Sequence, residues 1–339
     1  MNRKTVVHLG PKNSKGGMAV VMFNLMDNVP DDYDAVAINT HLDGSLRVKI
    51  STWINARKEL RRILDERNVR IIHVHVTHSI SWWRKMNLIR ICEKRSLPII
   101  IHIHSGRFDV FCQSMFGFCG YLVKNKLKNN SLKVVLLEKR WLKILKKWIP
   151  RNAIVIPNHS ESRVFNDGNF NNEEIQILML SRKSKGKGHN FSIKIAEYLD
   201  EKNIKFKLIM TGIEKNDLKN NMNGAIDAKG WISNNQKNDL ISKSDFLIMP
   251  SEFEGSSMSV IESIVNGLPC LVSHASSDTV GIEELTLPLN DPAEWGERII
   301  YLSNYERYTS VRKKLEIRAL SFSKDKNKEY ISKLYDDIG

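Results

Sequence analysis

The sequence has few cysteines and no long hydrophobic run. The cysteines lie far apart or in no metal-like spacing, which argues against a disulfide framework and against a zinc ribbon. They are Cys92, Cys112, Cys119 and Cys270. Nowhere do 18 apolar residues run together, so no segment is predicted to span a bilayer. The opening MNRKTVVHLG lacks the apolar core and cleavage site of a secretory signal, so we expect a protein of the reducing cytosol.

Length and composition indicate a folded protein of two domains. Hydrophobic residues make up 42% and charged residues 27%, as in ordinary globular chains, which excludes long disorder, collagen and coiled coil. At about 100–200 residues per domain, 339 residues predict two domains, each with its own core.

The positive charge is concentrated in the first half of the chain. The formal net charge is +14. Residues 1–160 carry 28 Lys and Arg against 11 Asp and Glu, a net charge of +17, whereas residues 161–339 carry a net charge of −3. We therefore expect the first domain to face an anionic partner, which could be a membrane surface, a phosphorylated acceptor or nucleic acid.

Short apolar segments alternate with helix-like segments, which is typical of parallel sheets covered by helices. In the first half, strands are predicted over 5–9, 35–39, 70–76, 98–104 and 133–137, with helices near 18–29, 51–68, 81–96 and 138–148. In the second half, strands are predicted over 175–181, 205–211, 225–230, 245–250 and 269–273, with helices near 189–202, 235–243, 257–266 and 291–303. The predicted fold class is α/β, with two Rossmann-like domains facing each other across a cleft.

An asparagine-rich segment, 164–174, is predicted to be an exposed linker and sets the domain boundaries. We expect an N-terminal domain over 1–163 and a C-terminal domain over 164–322. Residues 323–339 are predicted to form a C-terminal helix, with a return to the N-terminal domain as one option.

The segment EFEGSSMSVIESIVNGLPCLVS (252–273) is the strongest candidate for a binding site. A strand ending at Pro250 is followed by a small-residue loop and a helix, and the helix start presents free backbone N–H groups. Ser257, Met258 and Ser259 could therefore hold an anion such as a diphosphate. Glu254 and Glu262, with seven residues between them, would lie beside it and accept hydrogen bonds from sugar hydroxyls. On spacing alone, two solvated glutamates are an equally good interpretation.

These residues resemble the GT-B glycosyltransferases, and specifically the retaining E-x7-E group called GT4. The resemblance covers nearly the whole chain, in order and spacing. It includes SKGGMAVVMFNL near the start, the strand ends HVH and HIHSG, VIPN at 155–158, SRKSKGKGH at 181–189, and EGSSMSVIE with the following NGLPCLVS.

The resemblance implies a role for each matching residue. Glu254 would lie near the transferred sugar and Glu262 would bind the ribose hydroxyls. Arg182 and Lys187 would hold the donor diphosphate, whose charge grows as the glycosidic bond breaks; a solvated basic loop is the alternative.

Near the chain start, Gly16 and Gly17 match the family's glycine loop, which lets the backbone approach the donor phosphates and the acceptor. An ordinary turn into the following helix is the alternative. Gly230, Trp231 and Ile232 sit where the family's backbone borders the nucleobase.

Seven of the ten histidines fall in the first 104 residues, and two H-x-H pairs lie on predicted strands. Such pairs point to one face of a sheet, so a metal site is conceivable, but no Cys or acidic ligand is spaced to complete it. The resemblance implies no metal requirement and no cofactor. It also implies that a histidine at the end of the fourth strand faces the transferred sugar; His104 matches best, with His102 as its rival.

Two positions depart from the family pattern. Ser256 and Ser257 follow Glu254-Gly255 where the family commonly has an aromatic residue and a glycine, and His159 replaces the glycine after VIPN. The family's retention of configuration is usually drawn as front-face attack, in which the leaving phosphate takes the acceptor proton. No dedicated base is then required, and the sequence offers no convincing one.

Two segments of the basic half carry apolar residues beside lysines. In 138–149, Trp141, Leu142, Leu145, Trp148 and Ile149 would share one helix side, bordered by lysines. Such a surface suits an anionic membrane, whereas core packing is a slightly better interpretation of this segment. For FCQSMFGFCGYLV (111–123), binding of a membrane or acceptor is favoured, with Trp82-Trp83-Arg84 as an addition.

The expected function is that of a retaining, hexosyltransferase-type glycosyltransferase (EC 2.4). It would move a sugar from a UDP- or GDP-sugar to a glycan acceptor, on a polyprenyl diphosphate lipid or another carrier, in surface polysaccharide biosynthesis. We expect it in the cytoplasm, peripherally bound to the inner face of the membrane, with no nucleic acid as partner. The alternatives are a non-hydrolysing nucleotide-sugar epimerase of the same architecture and, less well supported, a basic nucleic-acid-binding protein.

Overall fold

The computed structural model describes residues 3–12, 16–129, 131–161, 173–218 and 224–338. It divides the chain into two compact units. The first unit comprises Met1–His159 and Lys324–Gly339, and the second comprises Ser160–Ser323. Almost all of the predicted linker 164–174, and residues 13–15 of the predicted glycine loop, lie outside the described residues.

The first unit is built on a parallel six-stranded sheet with strand order β2-β1-β3-β4-β5-β6. The strands are β1 Lys4–Gly10, β2 Tyr33–Asn39, β3 Val69–Val76, β4 Ile99–Ile103, β5 Leu132–Leu136 and β6 Ile154–Val155. The helices are α1 Gly17–Met26, α2 Leu46–Glu66, α3 Ile80–Glu93, α4 Phe108–Gln113, α5 Phe118–Leu127, α6 Lys139–Ile144 and, from the end of the sequence, α13 Lys324–Asp336.

The second unit contains another parallel six-stranded sheet, with strand order β12-β11-β10-β7-β8-β9. The strands are β7 Ile175–Met179, β8 Phe206–Thr211, β9 Ile226–Lys229, β10 Phe246–Met249, β11 Cys270–Ser273 and β12 Thr286–Leu287. The helices are α7 His189–Glu201, α8 Asn234–Lys243, α9 Met258–Val265, α10 Ser277–Val280, α11 Pro292–Leu302 and α12 Tyr305–Ala319.

Each sheet has a point where the strand order reverses direction along the chain. In the second unit it lies between β7 and β10, and the order read from β9 is the 3-2-1-4-5-6 order of dinucleotide-binding folds. In the first unit it lies between β1 and β3. Ligands of open parallel sheets bind beyond the carboxyl ends of the strands at these points. The prediction of two Rossmann-like α/β domains is confirmed.

The sheets are buried on both faces, as their apolar strands require. Every residue of β10 and β11 is buried, and β4 is buried throughout. The helices bury one face each: α2 begins after Ser45, whose Oγ accepts from Val48 N, and turns Ala56, Leu60 and Ile63 inward.

Some predicted elements differ from the structure. The helix predicted over 138–148 ends at Ile144, because Leu145 and Trp148 continue in turns. Core packing is the correct interpretation of this segment, since Trp141 and Leu145 are buried in the first unit's core. The helices α4, α5 and α12 were not predicted as elements.

The helix α13 is part of the first unit, held there by amide hydrogen bonds. Asn327 Nδ2 donates to the carbonyl of Pro157 at 3.0 Å, and its Oδ1 accepts from Asn28 Nδ2 at 2.9 Å. His159 joins the same group, with its Nε2 3.1 Å from Asn28 Nδ2. His159 therefore has a structural role where the family pattern has glycine.

None of the helices within the described residues is both long enough and apolar enough to cross a membrane.

Candidate active site

The loops after β7 and β10 touch at the reversal point of the second sheet. The backbone N–H of Glu252 donates to the carbonyl of Gly186 at 2.8 Å. Gly188 has φ +83°, and a Cβ there would lie 2.1 Å from the carbonyl oxygen of Pro250. Only glycine fits, because the position requires both the left-handed backbone region and the absence of a side chain. The hydrogen bond and the close backbone packing hold the two loops side by side.

Lys187 and Glu254 meet across these two loops. Lys187 Nζ donates to Glu254 Oε1 at 2.5 Å, and the two side chains are 21% and 10% exposed. The sequence predicted both residues as donor-binding or catalytic. The structure brings them together as a partly buried ion pair, whose strength exceeds that of a solvent-exposed pair.

A second ion pair joins α8 and α9. Lys237 Nζ donates to Glu262 Oε1 at 2.6 Å, with side-chain exposures of 21% and 12%. Lys237 was missed by the sequence analysis, because a lysine in the polar run SNNQKND is typical of a solvated helix face. Both glutamates of the E-x7-E segment are therefore oriented by a lysine from another element.

The N-terminus of α9 lies directly after the Glu254 loop. Ser257 is the N-cap residue and is buried, but its hydroxyl makes no capping bond. Met258 and Ser259 form the first turn, so their backbone N–H groups are among those a helix leaves unsatisfied. The helix start thus has the arrangement suited to an anion.

The predicted basic residue Arg182 follows β7 and is exposed. The turn around it is fixed by His189, whose Nε2 lies 3.0 Å from Ser181 Oγ and 3.2 Å from the carbonyl of Thr211. Burial lowers the pKa of His189, so the ring is uncharged near neutral pH. Gly212 packs closely here, since a Cβ would lie 2.2 Å from the carbonyl oxygen of Ser181.

In the first unit, Gly16 and Gly17 begin α1 after the carboxyl end of β1. Gly16 is the N-cap residue with φ 153°, and no atom of the described residues lies within 4 Å of a Cβ placed there. Gly17 is the first helical residue and is exposed. The glycines leave open space at this helix start.

Five histidines and one tyrosine form two hydrogen-bonded rows on one face of the first sheet. The outer row runs across three strands: His104 Nε2 lies 2.9 Å from His75 Nδ1, and His75 Nε2 lies 3.0 Å from His8 Nδ1. The ring planes differ by 30° and 19°. Going from β1 to β3 and then to the end of β4, each hydrogen bond joins a residue to the one two positions beyond its register partner. The row therefore runs diagonally across the sheet.

The inner row runs parallel to the outer row, two residues earlier along each strand. His102 Nδ1 lies 3.2 Å from His73 Nε2, and His73 Nδ1 lies 3.0 Å from the hydroxyl of Tyr335 on α13. On β1 the next position of this diagonal is Val6, whose side chain cannot form a hydrogen bond, so the Tyr335 hydroxyl is the last member of the row. The hydroxyl also lies 3.5 Å from His8 Nε2. Tyr335 thus connects the two rows.

Burial keeps these imidazoles neutral. It lowers the pKa of His8 and of His104 to about 3, and it lowers the pKa of His73, His75 and His102 well below the usual range, where the neighbouring histidines add to the effect. His104 is the one ring of the five that is half-buried rather than buried; His102 is 1% exposed.

A metal ion would fit this cluster poorly. Nitrogen atoms of His73, His75 and His102 lie within 4.8 Å of one another. However, the rings of His73 and His75 are parallel within 3° at 4.8 Å, so their in-plane lone pairs cannot converge on one ion. The hydrogen bonds within the rows also occupy most of these nitrogens.

The second unit carries a match to a family model. Residues 160–315, nearly all of this unit, match the model described as glycosyl transferases group 1.

The chain is also similar to curated relatives, and it shares its fold with solved structures. The chain is 31% identical to Protein CapJ of Staphylococcus aureus over 218 residues, covering 58% of this chain and 55% of CapJ. It is 26% identical over 285 residues to an uncharacterized glycosyltransferase of Methanocaldococcus jannaschii, covering 81% of this chain and 76% of the relative. Sucrose-phosphate synthase from Thermosynechococcus elongatus superposes with a TM-score of 0.79 at 13% identity, covering 99% of both chains.

The comparisons confirm the predicted GT-B fold. The matched region spans about half the length of CapJ. Within the second unit, ion pairs join Glu254 to Lys187 and Glu262 to Lys237. It places His104 and the glycines Gly16 and Gly17 in the other unit.

Proposed function

We propose that the protein is a glycosyltransferase that transfers a hexosyl group from a nucleoside diphosphate sugar, with retention of configuration, to a glycan acceptor of surface polysaccharide biosynthesis. The observation that carries the proposal is the pair of lysine-bound glutamates beside the α9 N-terminus, at the reversal point of the second sheet. Cations and helix N–H groups suit a diphosphate, and oriented carboxylates suit sugar and ribose hydroxyls.

In this proposal Lys187 and Arg182 hold the donor diphosphate together with the backbone of Ser257, Met258 and Ser259. As the bond between the sugar and the diphosphate breaks, negative charge grows on the leaving oxygen, and fixed cations and N–H groups stabilise that charge. Glu254 lies beside the sugar, and its bond to Lys187 holds the lysine in place before the donor binds.

Retention follows from attack on the face that the diphosphate leaves. The acceptor hydroxyl oxygen forms the new bond to the anomeric carbon, and its proton goes to the leaving phosphate oxygen, so no separate base is needed. Glu262, oriented by Lys237, would accept hydrogen bonds from the ribose. No metal ion or cofactor takes part in this scheme.

The donor is tested by thermal shift with UDP- and GDP-sugars. A cognate donor should raise the melting temperature by mass action. Lys187→Met should weaken donor binding by about 10- to 100-fold, because a charge-assisted hydrogen bond contributes about 1.5–3 kcal/mol. Lys183→Met is the matched control, since Lys183 lies in the same loop but forms an exposed ion pair with Asp217 at 2.6 Å.

If no nucleotide-sugar stabilises the protein, or if Lys183→Met weakens binding as much as Lys187→Met, the proposed donor site is wrong. With the donor known, proton NMR of the first-formed product tests retention. A product anomer opposite to that of the donor would refute front-face transfer.

We also propose two partners, an anionic membrane surface and an acceptor carried on polyprenyl diphosphate. The observation behind both is an apolar surface on the first unit. Met115, Phe116, Phe118 and Tyr121 are exposed around the turn between α4 and α5. Met115 and Phe116 have φ 53° and 55°, a costly backbone for non-glycine residues, and the turn presents Phe116 wholly to solvent. Exposed Lys124 lies on α5 nearby. Trp82, which the sequence analysis added to this surface, is buried instead.

Co-sedimentation with vesicles containing anionic lipids tests this surface. Phe116→Ser should reduce the bound fraction severalfold, while Ile317→Ser, which removes another exposed apolar side chain, on α12, should not. Equal binding by wild type and Phe116→Ser, or no preference for anionic over neutral vesicles, would refute membrane attachment through this turn.

A further inference from the structure

Lys85 on α3 is a buried cation with no carboxylate partner. It is 1% exposed, and within the described residues its Nζ is bonded only to Ser81 Oγ, at 3.1 Å. Three other lysines with limited exposure are paired with glutamates, namely Lys126, Lys187 and Lys237. An ammonium group with one hydroxyl partner leaves donors unsatisfied in a region of low dielectric, which is costly.

The neighbouring residue Arg84 is also incompletely satisfied. Its Nε is buried, and no hydrogen-bond partner for it exists in the part of the chain that the structure describes. Its Nη1 lies 3.5 Å from His41 Nδ1, and His41 in turn pairs with exposed Asp43 at 3.3 Å. Within the residues that the structure describes, neither of these two consecutive cations is bonded to a carboxylate.

Both cations lie at the carboxyl edge of the first sheet, where a ligand would bind. Ser81 Oγ, the partner of Lys85, accepts from the backbone N–H of Thr77, directly after β3. His104 follows β4, and its backbone N–H donates to the carbonyl of Val76, the last residue of β3. The charge of Lys85 acts on His104 and helps to lower the pKa of that ring.

Burial, with a smaller contribution from Arg84, lowers the pKa of Lys85 to about 7. The charged and titratable groups that act on Lys85 are Arg84 on its own helix and His104 at the end of β4. An anion placed here would favour the charged ammonium and satisfy its free N–H donors.

We propose that Lys85 and Arg84 bind an anionic group of the acceptor, a phosphate or a carboxylate, at the carboxyl edge of the first sheet. Naming the anion as part of the acceptor rests on the proposed function; the anion site itself does not. Ser81 is hydrogen-bonded to Lys85, the charge of Arg84 acts on Lys85, and the charge of Lys85 acts on His104. All three of these neighbours are half-buried, so the place is partly open to an anion.

The test is NMR of the full chain labelled with 13C at the lysine ε-carbon, titrated from pH 6 to pH 10. Lys85 is identified as the signal that titrates near pH 7 and is absent from Lys85→Met. Inorganic phosphate should raise its apparent pKa by about one unit or more, which corresponds to a tenfold or greater preference of the anion for the charged amine. This reporter is local, so phosphate bound at Lys187 in the other unit does not mimic it.

A second titration uses glucuronate as the probe. A shift with phosphate alone identifies a phosphorylated acceptor, and a shift with glucuronate alone identifies an acidic sugar; either supports the site. No shift of the Lys85 signal with either probe would overturn the proposal.

Kinetics separate this proposal from the proposed function. Lys85→Met should raise the acceptor KM at least tenfold and leave donor stabilisation in the thermal shift unchanged. Lys94→Met, an exposed lysine at the end of the same helix, is the control and should change neither. If no nucleotide-sugar binds the wild type, the transferase proposal fails, yet the NMR result on Lys85 still decides the anion site.

Discussion

At the scale of single residues, two kinds of buried cation coexist in this molecule. Lys187 and Lys237 are compensated by glutamates at 2.5 and 2.6 Å, so their burial costs little and fixes the carboxylates. Lys85 is compensated by a hydroxyl alone. Burial of Lys85 should therefore lower the free energy of unfolding by a measurable amount.

Replacing Lys85 by Met should stabilise the protein most at low pH. The folded-state pKa of Lys85 is about 7 and the ordinary value is 10.5, so between these values the unfolded chain binds the extra proton and wild-type stability rises with pH. At about 1.4 kcal/mol per unit, the gain from Lys85→Met should be roughly 2–3 kcal/mol larger at pH 6.5 than at pH 9.

Urea unfolding of both proteins at the two pH values measures this difference. The exposed-lysine variant Lys94→Met should show no such change with pH. A gain from Lys85→Met that is the same at pH 6.5 and pH 9 would mean that Lys85 titrates as an ordinary lysine.

At the scale of elements, the contact between the β7 and β10 loops depends on one glycine. Gly188→Ala combines two penalties, a left-handed backbone and a Cβ 2.1 Å from a carbonyl oxygen. Gly224 provides a matched control, because it has φ +91° but no atom of the described part of the chain within 4 Å of its Cβ position. Gly224→Ala should cost about 1–2 kcal/mol, the backbone penalty alone.

Gly188→Ala should cost at least about twice as much in unfolding free energy, and it should also weaken nucleotide-sugar binding by displacing Lys187 from Glu254. Chemical denaturation and donor titration measure the two effects. Equal destabilisation by both substitutions, with donor binding intact, would show that the two loops do not depend on this contact.

The helix α13 is tied to the first sheet by the hydroxyl of Tyr335. Tyr335→Phe removes the partner of His73 Nδ1 and the link to His8 Nε2, so it should destabilise the protein by about 1–3 kcal/mol. Tyr33→Phe is the control: Tyr33 is also buried and packs against Tyr335, with ring centroids 5.6 Å apart, but it lies outside the rows.

Imidazole 15N shifts give a readout that packing alone would not move. In Tyr335→Phe the His73 and His102 signals should report a mixture of tautomers, because the inner row has lost the group that fixes its direction of donation. Unchanged shifts would show that the tyrosine hydroxyl is not part of the row.

At the scale of the whole molecule, the histidine rows should make the two units respond differently to acid. Unfolded histidines have a pKa of about 6.5, whereas burial holds those of the rows far lower. The stability that this provides is present above pH 6.5 and is lost as the pH falls below 6.5, by up to about 1.4 kcal/mol per pH unit for each histidine.

Hydrogen exchange at pH 7.5 and pH 5.5, corrected for the intrinsic rate, separates the units. Amides of β1, β3 and β4 should lose protection on acidification, and those of β7, β8 and β10 should keep theirs. A parallel loss in both sheets would point to general charge repulsion rather than to the histidines.

Much of this architecture could be predicted from the sequence, because it depends on short runs of neighbouring residues. Runs such as PIIIHIH, rich in β-branched residues, favour buried strands, and the H-x-H spacing predicted a shared face that the structure confirms for His73 and His75. The helices α4 and α5 were missed because Met115 and Phe116 interrupt the helical pattern with a left-handed turn that no local rule assigns to such residues.

The site was predictable where it follows a motif and unpredictable where it depends on long-range packing. Glu254, Glu262 and Lys187 lie in the motifs that carry the resemblance, so the sequence alone predicts them as site residues. Lys237 and Tyr335 could not be predicted in this way, because each depends on a partner that is distant in the sequence. The partner is 25 residues away for Lys237 and 262 residues away for Tyr335. The burial of Lys85 is likewise a property of the assembled sheet rather than of its neighbours in sequence.

The position of α13 in the order of synthesis has a consequence for how the protein is made. A ribosome releases the strands of the first unit early, but the helix that supplies Asn327 and Tyr335 emerges only after all of 160–323. The nascent first sheet must therefore wait with its imidazoles incompletely covered while a whole second domain is translated.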